Sequence, residues 1–146
     1  MIVEQTYNLI KSRYAAKLEA LSIMDVRIGV YLTAVRLSDN SAGTSATLAY
    51  DLHHCAKNSR DFGDFTPLKI RGQKVIKVLE TDKESGTISS LKTAVLNAIS
   101  STIILSGNYK IVENCDPVQL LDLGHRKTIT IVGAFQSYIR KTNRSR

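Results

Sequence analysis

Cysteine is scarce in this sequence, which has only Cys55 and Cys115 among 146 residues and no CxxC pair. Two thiols cannot build a disulfide framework, so the small disulfide-stabilised secreted class is excluded and reduced thiols are expected. The N-terminal apolar residues are interrupted by charged ones such as Glu4, Lys11 and Arg13. We therefore predict no signal peptide, no membrane-spanning run of about 20 apolar residues and no membrane partner, and expect a cytoplasmic protein.

Negative charge is the minority: 20 Lys and Arg oppose 13 Asp and Glu, for a net charge of +7. Four of these seven charges come from Arg140, Lys141, Arg144 and Arg146, so the preceding 139 residues carry only +3. A basic run at one end is typical of a solvated tail. No aromatic-interleaved basic stripe accompanies it, so we do not expect a nucleic-acid partner.

Catalytic motifs are also missing. The sequence contains no GxSxG, no HExxH, no GxGxxG and no GxxxxGK[ST], which are the spacings of common nucleophile, zinc and phosphate sites. No catalytic residue is therefore predicted, and the question of an enzymatic activity stays open.

Apolar periodicity predicts an opening helix over residues 3–21, where apolar side chains recur every three or four positions. Residues 26–37 alternate apolar and polar side chains and predict a strand. The polar cluster at 38–41 predicts a turn, because Asp and Asn tolerate left-handed backbone. Residues 42–50 then return as a second strand, which makes a hairpin.

The second half of the sequence is richer in helical patterns. Residues 51–67 lose periodicity and predict a loop, and residues 75–79 predict a short amphipathic helix. The broad apolar face of residues 91–105 predicts the main core helix, which ends at Gly107 and Asn108.

Residues 109–146 predict the beginning of another fold. A short helix over 118–123 is followed by an apolar strand over 128–132, a turn at Gly133 and a new helix from Phe135. These are the first parts of a βαβ unit, which needs a second parallel strand. We expect this second domain to be incomplete, or its strand to pair with the first domain or with another chain in a homo-oligomer.

Three segments together resemble a known family. Ile28–Leu37 with Gly43-Thr44-Ser45, the helix segment containing Asn97-Ala98, and the strand Ile129–Phe135 are similar to the putative heavy-metal chelation family. The resemblance implies an α+β enolase N-terminal-like domain, with an antiparallel hairpin-containing sheet packed on helices, over residues 1–108. It implies that residues 109–146 are a connector and the start of a Rossmann-like α/β domain, with a ligand cleft between the two domains.

We predict ligand-binding positions within these segments: Thr33, Gly43, Thr44, Asn97, Gly133 and Phe135. Structural interpretations stand beside this one. Gly43 fits a hairpin turn, and Gly133 fits a tight strand end rather than a phosphate site. Asn97 lies close to the apolar helix face and fits a packing contact.

Metal ligands are suggested by the cluster His53, His54 and Cys55, whose imidazoles and thiolate suit zinc, copper or nickel. Neighbouring side chains diverge in an extended backbone, so one ion would also need Asp51, Asp61 or Cys115. The alternative is an ordinary polar loop with one buried thiol.

Three functions are therefore open. The first is a metal- or small-ligand-binding protein with a transition-metal ion. The second is an enzyme whose Rossmann-like half holds a cofactor. The third is a structural oligomerisation module, which would use an unpaired strand edge.

Overall fold

A computed structural model describes residues 2–48, 63–66, 68–107, 109–116 and 120 of the chain. The chain divides into two compact units, Met1–Asn108 and Tyr109–Arg146. Of the helix predicted at 118–123 the structure describes Leu120, which is helical, and the elements predicted at 128–132 and beyond Gly133 lie outside the described residues. The regular helices and strands given below therefore belong to the first unit.

Helices and strands alternate in blocks along the first unit. The elements are α1 (Ile2–Ala20), β1 (Ile23–Ile28), β2 (Leu32–Leu37), β3 (Ala42–Ala46), a short 3-10 helix (Gly63–Phe65), α2 (Val75–Leu79) and α3 (Gly86–Ser106). The three strands form one antiparallel sheet in the order β1-β2-β3. The predicted α+β class is confirmed.

The strand predicted over 26–37 is wrong in one respect, because the chain reverses within it. β1 and β2 are joined by a two-residue turn at Val30 and Tyr31, closed by a 2.9 Å bond from Gly29 N to Leu32 O. Two-residue hairpin turns normally contain Asn or Gly with a positive φ, and these residues reveal the turn in the sequence. Neither turn residue has a positive φ, so the turn does not require Asn or Gly. The apolar alternation in the sequence therefore continues through the reversal, and no residue marks the turn.

An irregularity in β1 keeps its apolar residues on one side of the sheet. Ile23 pairs with Leu37 and Val26 with Val35, although β1 has one more residue between these pairs than β2. The extra residue is a β-bulge, which restores the two-residue side-chain period. Ile23 and Val26 therefore both contribute to the core.

The predicted turn at residues 38–41 is confirmed, and its chemistry is the expected one. Asn40 adopts a left-handed φ of 64°. The Asp39 carboxylate accepts a bond from Ser41 N at 3.0 Å, which mimics a backbone turn.

The predicted core helix is confirmed, but it begins five residues earlier, at Gly86. Ser85 caps it, because its Oγ accepts a bond from Ile88 N at 3.2 Å. Among the described residues α3 is long and apolar enough to cross a membrane. In this fold its apolar face is buried in the core: Ile88, Leu91, Ala94, Val95, Leu96, Ala98 and Ile99.

The opening helix is confirmed as α1, which buries Ile10 and Leu18. A bond of 2.5 Å from Lys17 Nζ to Thr102 Oγ1 joins it to α3. The short helix predicted at 75–79 is confirmed as α2, and it buries Val75, Val78 and Leu79. The helices therefore share one core with the inner face of the sheet.

The sheet and α3 come very close to each other at Gly43 of β3. A Cβ atom added at Gly43 would lie 2.2 Å from Ala94 O and 2.3 Å from Ala98 N. Both neighbouring atoms are backbone, so they cannot rotate out of the way as a side-chain end could. Only glycine lets β3 lie this close to α3.

Gly43→Ala should therefore destabilise the fold by roughly 1–3 kcal/mol or more, because the added methyl pushes β3 away from α3. Urea unfolding followed by circular dichroism measures this. Ala42→Ser is the matched control, since it also adds one heavy atom but at an exposed neighbour on the same strand. Equal unfolding midpoints for the two variants would contradict the contact.

Candidate functional site

Thr33 lies in the core rather than in an open pocket. It is fully buried on β2, and its Oγ1 lies 3.0 Å from Thr47 Oγ1. Its partner across the sheet is Ser45 of β3. A buried hydroxyl with a partner is satisfied, so Thr33 belongs to the packing between sheet and helix.

Ser90 of α3 continues this line of hydroxyls. Its side chain is buried, accepts a bond from Leu48 N at 2.9 Å and donates to Gly86 O at 2.9 Å. Its carbonyl accepts from Ser45 Oγ at 2.6 Å. We call Thr33, Ser45, Thr47 and Ser90 the polar seam. The seam fixes the place where the chain leaves β3.

Thr44 and Asn97 meet at the edge of β3 that faces away from β2. Thr47 N bonds to Tyr31 O, and bonded and non-bonded positions alternate along an antiparallel ladder. Thr44 is thus a non-bonded position, and its backbone carbonyl points away from β2. Asn97 Nδ2 donates to that carbonyl at 2.7 Å. Asn97 therefore protects an edge that would otherwise expose an unpaired acceptor.

The predicted ligand-binding positions thus divide into two groups. Gly43, Thr44 and Asn97 come together where β3 meets α3, and Thr33 lies one strand away on the inner face. Gly133 and Phe135 lie outside the described residues. The described contacts of the first group are structural ones.

The predicted metal ligands His53, His54 and Cys55 lie outside the described residues as well. Within the described part of the chain, no three His, Cys, Asp or Glu side chains form a group that could hold a metal ion. Cys115 is a free cysteine, and its thiol contacts the Val112 carbonyl at 3.7 Å.

A cleft of about 730 Å³ opens between α1 and the start of α3. We call it the α1–α3 cleft. Its α1 wall includes Val3 and Tyr7, and Leu79 and Ile88 contribute buried apolar surface. Its α3 wall carries polar side chains: Ser85, Ser89 and Lys92.

Tyr7, Lys11 and Glu80 form a polar cluster at the rim of the cleft. Tyr7 OH donates to Glu80 Oε1 at 2.6 Å, and Lys11 Nζ donates to the same oxygen at 2.5 Å. The Lys11 ammonium also lies 5.5 Å from the centre of the Tyr7 ring, within the range of a cation–π contact. The cluster ties α1 to the end of α2.

These contacts change the acidities of all three groups. The hydrogen bond from Lys11, followed by that from Tyr7, lowers the pKa of Glu80. Burial, followed by the bond to Glu80, raises the pKa of Tyr7, and the bond to Glu80 raises the pKa of Lys11. At neutral pH the carboxylate is charged and the phenol and ammonium keep their protons.

Sequence reasoning missed the polar seam and the α1–α3 cleft for different reasons. Ser90 carries a signal, because a small polar residue interrupts the apolar face of α3. Glu80 carries none, because its partners Tyr7 and Lys11 are about 70 positions away in the sequence. Pairs of that separation are set by packing and not by local pattern.

Comparison with known proteins identifies one family. The model of the family described as "Putative heavy-metal chelation" matches residues 11–100 of this chain, which is more than half of its length. The match includes the sheet, α2, most of α1 and most of α3. No curated protein and no solved structure matches the chain. The resemblance is confirmed for the family, while the enolase-like and Rossmann-like assignments stay predictions.

Asn97→Asp should destabilise the fold by roughly 1–2 kcal/mol at pH 7, because a carboxylate oxygen would face the Thr44 carbonyl and the donor would be lost. The repulsion should ease in acid, where a protonated carboxyl can donate. Urea unfolding at pH 7 and pH 3 measures both effects. Asn8→Asp, the same exchange at an exposed α1 position, should change little. Equal effects of the two exchanges would refute the edge contact.

Glu80→Gln should lower the urea midpoint at pH 7, because it removes the charge that Tyr7 and Lys11 contact. A carboxyl with a lowered folded pKa stabilises the fold above its ordinary value of 4.5 and loses that effect as pH falls through the folded pKa. The difference from wild type should therefore shrink below pH 4.5. Asp82→Asn, at an exposed position, is the control. A difference that stays constant into acid would count against the cluster.

Proposed function

Because the chain belongs to the family described as "Putative heavy-metal chelation", we propose that it binds a transition-metal ion through soft side chains. Thiolate and imidazole are the protein ligands that zinc, copper and nickel favour. The proposal concerns the matched segment, residues 11–100, since the family description applies there.

The observation that carries this proposal is where the soft ligands occur. Within residues 11–100 every imidazole and thiol belongs to three consecutive residues, His53, His54 and Cys55. The remaining His125 and Cys115 lie beyond the match. A soft metal bound by the matched segment therefore has these three side chains as its imidazole and thiolate donors.

The described residues support this location by leaving the rest of the sheet and helices without a competing group. No cluster of three potential ligands occurs in the described part of the chain. Its ion pairs include Lys11–Glu80, Lys17–Asp39 and Arg27–Asp25, in which each carboxylate faces a cation. A carboxylate facing a cation is a poor start for a cation site.

The two ends of the ligand-bearing segment are held by the fold. Leu48 N bonds to Ser90 at one end, and Phe65 is buried in the core at the other. His53 follows Leu48 by five residues, so their Cα atoms are at most about 18 Å apart.

The coordination needs more than the three consecutive residues. Adjacent side chains diverge in an extended backbone, and zinc in structural sites takes four ligands. Asp51 and Asp61 lie in the same segment of the sequence and are the proposed oxygen donors. Binding should release protons, because thiolate and neutral imidazole are the ligating forms.

Purified protein that has met no chelator should contain close to one metal ion per chain by elemental analysis. The triple change His53→Ala, His54→Ala and Cys55→Ala should lower the affinity for added Zn²⁺ at least about tenfold, as loss of ligands does. Competition with a chromogenic chelator measures the affinity. The matched control is His125→Ala with Cys115→Ala, which removes the other imidazole and thiol and should retain the metal.

Two results would refute the proposed ligands. One is a metal content and Zn²⁺ affinity that the triple change leaves intact. The other is an equal loss in the triple variant and in the His125 and Cys115 control. Circular dichroism on each variant separates loss of ligands from loss of fold.

A further inference from the structure

The α1–α3 cleft has two chemically unlike sides. The α1 side presents Val3 and the ring of Tyr7, and the buried side chains Leu79 and Ile88 continue this apolar surface. The α3 side presents hydroxyls and an ammonium group. Pockets of about 300–1,000 Å³ that combine apolar surface with a few convergent polar groups are typical of small-molecule sites, and this cleft has about 730 Å³.

The polar side chains on the α3 side share one face of the helix. Ser85, Ser89 and Lys92 are spaced four and three residues apart, so they stack along one stripe. The Lys92 ammonium donates one bond to Thr81 O at 2.8 Å, and an ammonium has three donors. Lys92 is half-buried, and within the described residues no carboxylate lies within ion-pair distance of it.

Ser89 adds a second donor beside Lys92. Its side chain is half-buried and lines the cleft, and the described part of the chain gives its hydroxyl no hydrogen-bond partner. Its backbone carbonyl accepts from Thr93 Oγ1 within the helix. A hydroxyl and an ammonium one helical turn apart can bind one anionic group together.

The carboxylates around the cleft do not cancel this donor pair. Glu80 already accepts bonds from Lys11 and Tyr7, so its charge is directed to the α1 side. Glu4 and Glu84 are exposed at the rim, where Lys83 is exposed as well. Lys92 is therefore the half-buried charged group of the cleft lining, whereas these carboxylates are exposed.

We propose that the α1–α3 cleft binds a small molecule with an anionic oxygen group on an apolar ring. The anionic group bonds to Lys92 and Ser89, and the ring lies against Tyr7 and Leu79. This proposal does not depend on the metal site proposed above, because the residues that line the cleft do not include the proposed metal ligands.

Phenyl phosphate and benzoate are suitable probes, because they carry the two common anionic oxygen groups on the same ring. Titration of the full chain in EDTA, followed by ¹H–¹⁵N NMR, gives the affinity and the residues that respond. At least one probe should bind about fivefold tighter than both inorganic phosphate and benzyl alcohol, which lack the ring or the charge. The preferred probe distinguishes phosphate from carboxylate ligands.

Substitutions locate the two halves of the site. Lys92→Met should weaken the charged probe about tenfold and leave benzyl alcohol unchanged, whereas Lys92→Arg should retain most of the affinity. Ser89→Leu should weaken both, because the larger side chain would occupy the part of the cleft beside Lys92. The control Lys77→Met, at an exposed position on α2 that does not line the cleft, should bind like wild type. Unfolding midpoints confirm that each variant is folded.

Several results would overturn the proposal. Equal affinities for the charged probe and benzyl alcohol would show that the anionic group makes no favourable contact. A second result is that Lys92→Met and Lys77→Met change the affinity equally, and a third is that a folded Ser89→Leu protein binds normally. Either result would show that the probe does not bind in the α1–α3 cleft. No spectral change at about 10 mM probe, tenfold above a 1 mM dissociation constant, would remove the site. None of these results bears on metal binding, because the titration contains a chelator.

Discussion

The contact of β3 with the backbone of α3 is the constraint on which the first unit depends. At Gly43 the strand comes so close that one methyl group would overlap Ala94 O and Ala98 N. α3 can accept the strand because its residues at this place, Ala94 and Ala98, have small side chains. Both are fully buried. The position of the sheet against α3 is consequently set by the close fit of the two backbones. The buried apolar side chains around this contact stabilise the arrangement.

The same contact explains why several polar residues have structural roles. Once β3 lies against α3, Asn97 reaches the Thr44 carbonyl and Ser90 reaches both Ser45 and the backbone of Leu48. The two bonds of Ser90 satisfy groups that the close approach partly buries, and Asn97 gives the exposed Thr44 carbonyl a partner. The departure of the chain from β3 is thereby fixed, and the segment that carries the proposed metal ligands starts from a defined point.

Local pattern was sufficient for α1, α2 and the Ser38–Ser41 turn, because each has its own periodicity or turn chemistry in the sequence, whereas for α3 it missed the first five residues, 86–90. It failed at Val30 and Tyr31, where an apolar turn has no Gly or Asn to reveal it. The role of Gly43 was also out of reach, since a glycine in a turn-rich segment looks the same whether it bends the chain or admits a helix. The partners of Glu80 depend on how α1 packs, which no short window of sequence contains.

The two faces of α3 make different contacts. At 3.6 residues per turn, Ser90, Ala94 and Asn97 lie on the face that contacts β3, whereas Ser85, Ser89 and Lys92 lie roughly opposite. The first face fixes the end of β3, from which the His53–Cys55 segment continues. The second face lines the α1–α3 cleft. A change at Ser89 or Lys92 therefore alters the cleft without touching the contact between β3 and α3.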